Sequence, residues 1–133
     1  MLQYSPAQIL DAIDQGRAVI ALDENQNLAA FAQFWHYGFN PGGQSIYEFG
    51  SWLSFAPGYG KKIFQSAVIL GRSKFPEAQL IAIVERENIK AQTILIGFGA
   101  KEIGQKFSPY IRTVEGQPAT MKIFDITFSI PSF

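Results

Sequence analysis

The chain has 133 residues, 47% hydrophobic, 14% aromatic and only 17% charged, too apolar for a disordered segment or a coiled coil and long enough to bury one core. Eleven Lys and Arg balance eleven Asp and Glu, so no global charge draws it to nucleic acid or an anionic membrane. There is no Cys and one His, which excludes disulfides and thiol catalysis and leaves too few ligands for a zinc site, so no metal is expected.

Ser5 and Pro6 open a short helix over residues 7–15, stopped by Gly16, with Ile9, Leu10 and Ile13 as its apolar stripe. Residues 17–22 and 28–37 read as two strands around the polar turn Asp23-Glu24-Asn25-Gln26-Asn27, a hairpin. Gly38 to Gln44 holds three Gly and one Pro and reads as a loop. Residues 46–54 form a third strand, broken by Ala56-Pro57-Gly58-Tyr59-Gly60. From Lys61 to Phe75 the apolar residues repeat at helical spacing. Phe64, Ala67, Val68, Gly71 and Phe75 share one face, Ile63 and Leu70 lie beside it, and Pro76 ends the helix.

Residues 79–84 contain Leu-Ile-Ala-Ile-Val without alternation, the pattern of a strand covered on both faces. Strand, helix, strand in this order predicts a crossover with parallel neighbouring strands. Asn88 can cap a second helix from Ile89 to about Phe98, closed by Gly97 or Gly99. Two strands follow, near 105–114 and 121–130. In the last, Phe124, Ile126, Phe128 and Ile130 face one way and Ile123, Asp125, Thr127 and Ser129 the other. The class is α+β, in a single domain over residues 1–133. No run of 18 apolar residues and no basic region followed by an apolar run is present, so neither a membrane span nor a secretory signal is expected, and a cytoplasmic protein is.

One local feature stands against the neutral whole. Between Phe49 and Pro76 there is no Asp or Glu but four cations, Lys61, Lys62, Arg72 and Lys74. Lys61 and Lys62 fall in the first turn of their helix, where the dipole already places positive charge and each cation costs about 0.3–1 kcal/mol. First-turn N–H groups also lack helical partners. A bound anion removes both problems, and Gly58 and Gly60 let the backbone approach it. The other reading is a plain tight turn with solvated lysines. The stretch is neither a P-loop nor a GxGxxG fingerprint, because Phe64 stands where the third glycine is needed.

From about Arg17 to Gly104 the chain resembles the GNAT superfamily of N-acetyltransferases. The hairpin AVIALDENQNLAAFAQF is similar to the family's second and third strands. YEFGSWLSFAPGYGKKIF is similar to its acetyl-CoA-binding strand and loop, and LIAIVERENIKAQTILIGFGA to the next strand, an Asn-x-x-Ala helix start and a later glycine. Two closing strands complete the order. The resemblance implies a mixed, mostly antiparallel sheet with a central parallel βαβ pair and helices on both faces. It also implies acetyl-CoA as co-substrate, its pyrophosphate on the amides of Gly58, Tyr59 and Gly60 beside Lys61 and Lys62. The pantetheine would lie along Leu53, Ser54 and Phe55, in a gap between this strand and the one ending near Val84, with Asn88 contacting the cofactor.

Two departures accompany the resemblance. Phe55 stands where the family's loop pattern opens with Gln or Arg, and Leu95 where a Tyr often protonates the leaving thiolate. The expected activity is direct transfer of acetyl to an amine, on a small molecule or a peptide. Glu48, on the strand flanking the thioester, is the candidate base, and Tyr110 a replacement acid if the tail folds back. Glu85 and Glu87 also read as an exposed turn, His36 as the polar tip of a strand, and Trp35, Tyr37 and Trp52 as an acceptor pocket or as core. The alternatives are a GNAT-like module that binds CoA or a protein without chemistry, and a structural domain whose exposed aromatics make an interface. C-terminal edge strands can pair with a second copy in a homodimer.

Overall fold

The computed structural model describes residues 6–129 and, among them, all side chains except those of Pro6, Gln8, Ile9, Ser51, Pro109, Tyr110 and Ile111. The elements are α1 (Pro6–Asp14), β1 (Ala18–Leu22), β2 (Leu28–Phe39), β3 (Ser45–Ser54), α2 (Tyr59–Lys74), β4 (Gln79–Glu85), α3 (Ile89–Gly97), β5 (Lys101–Arg112) and β6 (Pro118–Asp125). The six strands form one sheet in the order β1-β2-β3-β4-β6-β5. Every neighbouring pair is antiparallel except β3 and β4, which the α2 crossover makes parallel. No helix among the described residues is long and apolar enough to cross a membrane.

The main core lies between one face of the sheet and α2 with α3. Alternation puts Ala30, Ala32 and Phe34 of β2 on that face, together with Phe49 of β3 and Leu80, Ala82 and Val84 of β4. Helix α2 lays Ile63, Phe64, Ala67, Val68 and Gly71 against them. Gly71 lets the helix approach the sheet closely, since a Cβ there would stand 2.7 Å from Phe34 Cζ. Helix α3 adds Ala91 and Leu95, and Phe98 packs its ring 5.5 Å from that of Phe64.

The opposite face of β2 buries Phe31 and Gln33 and carries α1. A buried cation fixes that helix. Arg17 donates to Phe34 O at 2.6 Å and to Gln15 Oε1 at 2.9 Å, pairs with Asp11 Oδ2 at 3.2 Å, and lies 4.6 Å above the Trp35 ring. This pairing ties α1 to the sheet beside Ala12, which is buried. The apolar stripe expected from sequence is therefore corrected: Leu10 and Ile13 are exposed, and the Ile9 side chain and the Ser5 cap lie outside the described residues.

The last strand is corrected as well. It stops at Asp125, whose Oδ1 accepts the Thr127 N–H at 2.9 Å while Thr127 Oγ1 accepts the Leu80 N–H at 2.8 Å. The chain thus turns away, Ile126 is buried and Phe128 is exposed, so the alternation expected through Phe128 fails there. Ile130 lies outside the described residues.

Candidate functional site

The two parallel strands do not run together to their ends. β3 and β4 pair only from Ile46–Gln79 to Phe49–Ala82. Beyond that, β3 continues to Ser54 on β2 alone, and β4 continues to Glu85 on β6 alone. A wedge opens between them. A bulge in β3 helps to turn it away: from Gly50 to Leu53 it spends three steps while β2 spends two between Gln33 and Phe31. The bulge brings Trp52 onto the same face as Phe49, their ring centroids 5.1 Å apart.

The turn after β3 delivers α2 to the mouth of this wedge. Gly58 is the N-cap, in the left-handed region at φ 84°, with no side chain to cap the helix. The indole Nε1 of Trp52 donates to Gly60 O at 3.0 Å, and Ser54 Oγ donates to Ala56 O at 2.8 Å. The loop is thus pinned to β3, and the first-turn amides of α2 face outward without a capping side chain.

A cleft of about 1080 Å³ opens there between the start of α2 and the outer side of α3. Gly58, Gly60, Lys61 and Lys62 line it from α2, with Lys90, Thr93, Ile94 and Phe98 across from them; no carboxylate is in its lining. Lys61 Nζ lies 5.8 Å from the Phe98 ring centroid and Lys62 Nζ 5.2 Å from that of Tyr59. A smaller cavity of about 140 Å³ leads inward to the wedge, lined by Trp52, Ser54, Gly60, Asn88, Lys90, Ala91 and Ile94. Asn88 Oδ1 caps α3 by accepting the Ala91 N–H at 3.1 Å, which leaves its amide group to donate to a ligand. The buried Gln92 Nε2 donates to Glu85 O and Arg86 O and ties α3 to the end of β4. Three cations beside two helix starts and no opposing acid form a site for a polyanion.

Glu48 stands where the wedge begins, opposite Ile81 on β4 and Trp35 on β2. It points to the face away from α2, since its neighbours Tyr47 and Phe49 pack in the main core. Burial pushes its carboxyl above the usual carboxylate range, and the Lys106 ammonium offsets part of that rise. A half-buried carboxyl beside an open wedge is placed to take a proton from a bound group.

Of the residues expected to hold the cofactor, Gly58, Gly60, Lys61 and Lys62 line the large cleft, and Ser54, Gly60 and Asn88 the small one. Leu53, Phe55 and Tyr59 line neither. Leu53 pairs with Phe31, Phe55 is exposed, and Tyr59 lies under Lys62. Leu95 is fully buried and turned into the core, so α3 presents Ile94 to the wedge instead. Tyr110 lies in β5, but its side chain is outside the described residues. Glu85 is half-buried at the end of β4, and Glu87 is exposed and paired with Arg86. His36 packs edge-on against Tyr47 and Phe39, on the α2 face, away from Glu48. Trp52 belongs to the cleft side through its bond to Gly60, whereas Trp35 stands beside Glu48.

Lys90 was missed by sequence reasoning. Its signal was the one used for Lys61 and Lys62, a cation in the first turn of a helix that has no acid there.

Comparison with models of protein families gives no match, and comparison with curated proteins gives none. Solved structures do match. Salmonella typhimurium yncA, solved with its cofactor acetyl-CoA, superposes with a TM-score of 0.72 at 14% identity, over 95% of this chain and 75% of that one. Arabidopsis thaliana NAA60, solved with a bisubstrate analogue, gives 0.69 at 15% identity, over 98% of this chain and 86% of that one. An acetyltransferase of the GNAT family from Bacillus anthracis gives 0.62 at 19% identity, over 83% and 65%. The chain has the fold of the GNAT N-acetyltransferases, with the mixed sheet, the central parallel pair and helices on both faces.

Proposed function

We propose that the protein is an N-acetyltransferase that moves acetyl from acetyl-CoA to an amine by direct attack. The observation that carries this reading is the wedge between β3 and β4, which opens onto the uncapped, lysine-flanked start of α2. That combination fits a slender acyl arm joined to a diphosphate, and yncA, with the same fold, was solved with acetyl-CoA as its cofactor. The amides of Gly60 and Lys61 and the ammonium groups of Lys61, Lys62 and Lys90 would hold the phosphates. Asn88 and Ser54 would donate along the arm in the small cavity.

Acetyl-CoA supplies the activated acyl group, and the protein supplies placement and proton handling. The acceptor enters as an ammonium ion and gives one proton to Glu48, directly or through a water. The freed nitrogen lone pair attacks the thioester carbonyl carbon. A C–N bond forms, the C–S bond breaks, and its electron pair leaves on sulfur. The second proton lost by nitrogen ends on the thiolate, so the products are an amide, the free thiol of CoA and one proton released from Glu48. The absence of Cys agrees with a route that needs no acyl-enzyme. We place this reaction in the cytoplasm. The sheet edges β1 and β5 are where a second copy would pair.

Leu95 in the core favours one other reading, a module that binds CoA without turning it over. A panel of amines, with thiol release followed by a chromogenic disulfide, separates the two. Release above the hydrolytic background supports the transferase. Saturable binding of acetyl-CoA with no release for any amine supports the module.

A further inference from the structure

The face around Glu48 carries a second charge. β5 is four places from β2 in the sheet, about 19 Å across a flat sheet at about 4.8 Å per strand, beyond the reach of a lysine. Yet Lys106 Nζ of β5 lies 5.3 Å from the centroid of the Tyr37 ring of β2. The sheet therefore curls, and β5 arches over the face that bears Trp35, Tyr37 and Glu48. Glu48 and Lys106 thus stand on the same face of the sheet, near enough for the ammonium to act on the carboxyl.

The two charges are not joined. Among the described residues the ion pairs are Arg17–Asp11, Arg86–Glu87 and Lys122–Glu102. Arg17, the cation over the Trp35 ring, is already paired with Asp11 and held by Gln15 and Phe34 O. Lys106 lies against the Tyr37 ring, which does not cancel its charge. A separated anion and cation on one face are complementary to a zwitterion. A single free ammonium also matches one negative charge, and a dianionic phosphate would remain half neutralised.

We propose that Lys106 anchors a carboxylate of the acceptor, so that the amine acetylated here belongs to an amino acid or a similar amino-carboxylate. This rests on the transferase reading above. The acceptor's ammonium group meets Glu48, its carboxylate meets Lys106, and Trp35 and Tyr37 form an apolar wall beside its side chain. A polyamine would instead bring excess positive charge against Lys106 and be disfavoured.

The test is a panel of α-amino acids, each paired with the amine made by decarboxylating it, with kcat/KM measured by thiol release. Taking the ratio within a pair cancels any effect of Lys106 on the ionisation of Glu48. The wild type is expected to favour the amino acid. Lys106→Gln should lower that ratio by about 10- to 100-fold, the loss of one charge-assisted hydrogen bond. Lys106→Arg should largely retain it, and Lys106→Glu should favour the decarboxylated amine. Melting curves with and without acetyl-CoA confirm that each variant is folded and still binds the co-substrate. Turnover in which the decarboxylated amines do as well as the amino acids, or a ratio unchanged in Lys106→Gln, overturns the proposal and leaves the transferase reading intact. Binding of acetyl-CoA with turnover of no amine overturns the transferase reading itself, and the proposal with it.

Discussion

Gly60 offers the sharpest separation of folding from binding. A Cβ built there meets Ser54 Cβ at 3.8 Å, and Ser54 Oγ and Trp52 Nε1 at 4.0 Å. These are ordinary contacts, and the residue is not among those at positive φ. Gly60→Ala should therefore fold without strain and gain up to about 1 kcal/mol of helix propensity. Gly60→Glu also places an acid in the first turn of α2, which stabilises the helix by about 0.3–1 kcal/mol. At about 2.1 cal/mol/K per residue, 133 residues give an unfolding entropy of about 0.28 kcal/mol/K, so 1 kcal/mol moves Tm by about 3–4 °C. Acetyl-CoA at a hundred times its Kd adds about 2.7 kcal/mol, or about 10 °C, to the wild type. Gly60→Ala narrows the small cavity and should cut that shift, and Gly60→Glu sets a carboxylate against the diphosphate and should abolish it, though both variants melt no lower than the wild type without ligand. Scanning fluorimetry with and without acetyl-CoA reads both quantities. A full 10 °C shift retained in Gly60→Glu would refute the placement of the diphosphate.

Glu48→Gln should lower kcat/KM by about 10²- to 10⁴-fold, the usual contribution of a general base, and in the wild type kcat/KM should rise with pH through the raised carboxyl pKa. The native state holds the Glu48 proton more tightly than the unfolded chain, so the burial cost begins as pH rises past the unfolded carboxyl's pKa and is complete above the raised native one. Glu48→Gln should accordingly melt above the wild type near about pH 8 and level with it below about pH 4; a lower melting temperature at both would contradict the burial argument. Replacing Lys61, Lys62 and Lys90 together by Gln should weaken CoA about tenfold or more at low salt and flatten its salt dependence, as titration calorimetry at two ionic strengths will show. In Gly71→Ala the new methyl stands 2.7 Å from Phe34 Cζ and 3.0 Å from Leu80 Cδ1. Overpacking of about 1–3 kcal/mol should outweigh the helix gain of about 1 kcal/mol, giving a lower urea midpoint; a raised midpoint would show that the Phe34 ring yields freely.

The hairpin, the crossover and both core helices were legible in the sequence because local signals agreed there. The polar turn at 23–27 separates two apolar runs, and Pro76 stops a helix whose stripe is continuous from Ile63 to Gly71. The start of α2 was legible for a different reason, an electrostatic cost with no visible compensation. Long-range contacts were not legible. Periodicity chose Leu10 and Ile13 as the inner face of α1, but Ala12 is the buried position, beside a buried arginine that precedes β1 and pairs with Asp11. The bulge that sends Trp52 to the face of Phe49 shows only in the register against β2. That Glu48 and Lys106 come to share one face depends on how far the sheet curls, which no local pattern encodes.

The central claim is that the wedge and the start of α2 receive acetyl-CoA. A crystal soaked with acetyl-CoA tests it most directly. The account predicts the diphosphate on the amides that follow Gly58, ringed by Lys61, Lys62 and Lys90, with the thioester between β3 and β4 near Glu48. Acetyl-CoA bound elsewhere, or a wedge filled by protein side chains with acetyl-CoA at saturation, would contradict it.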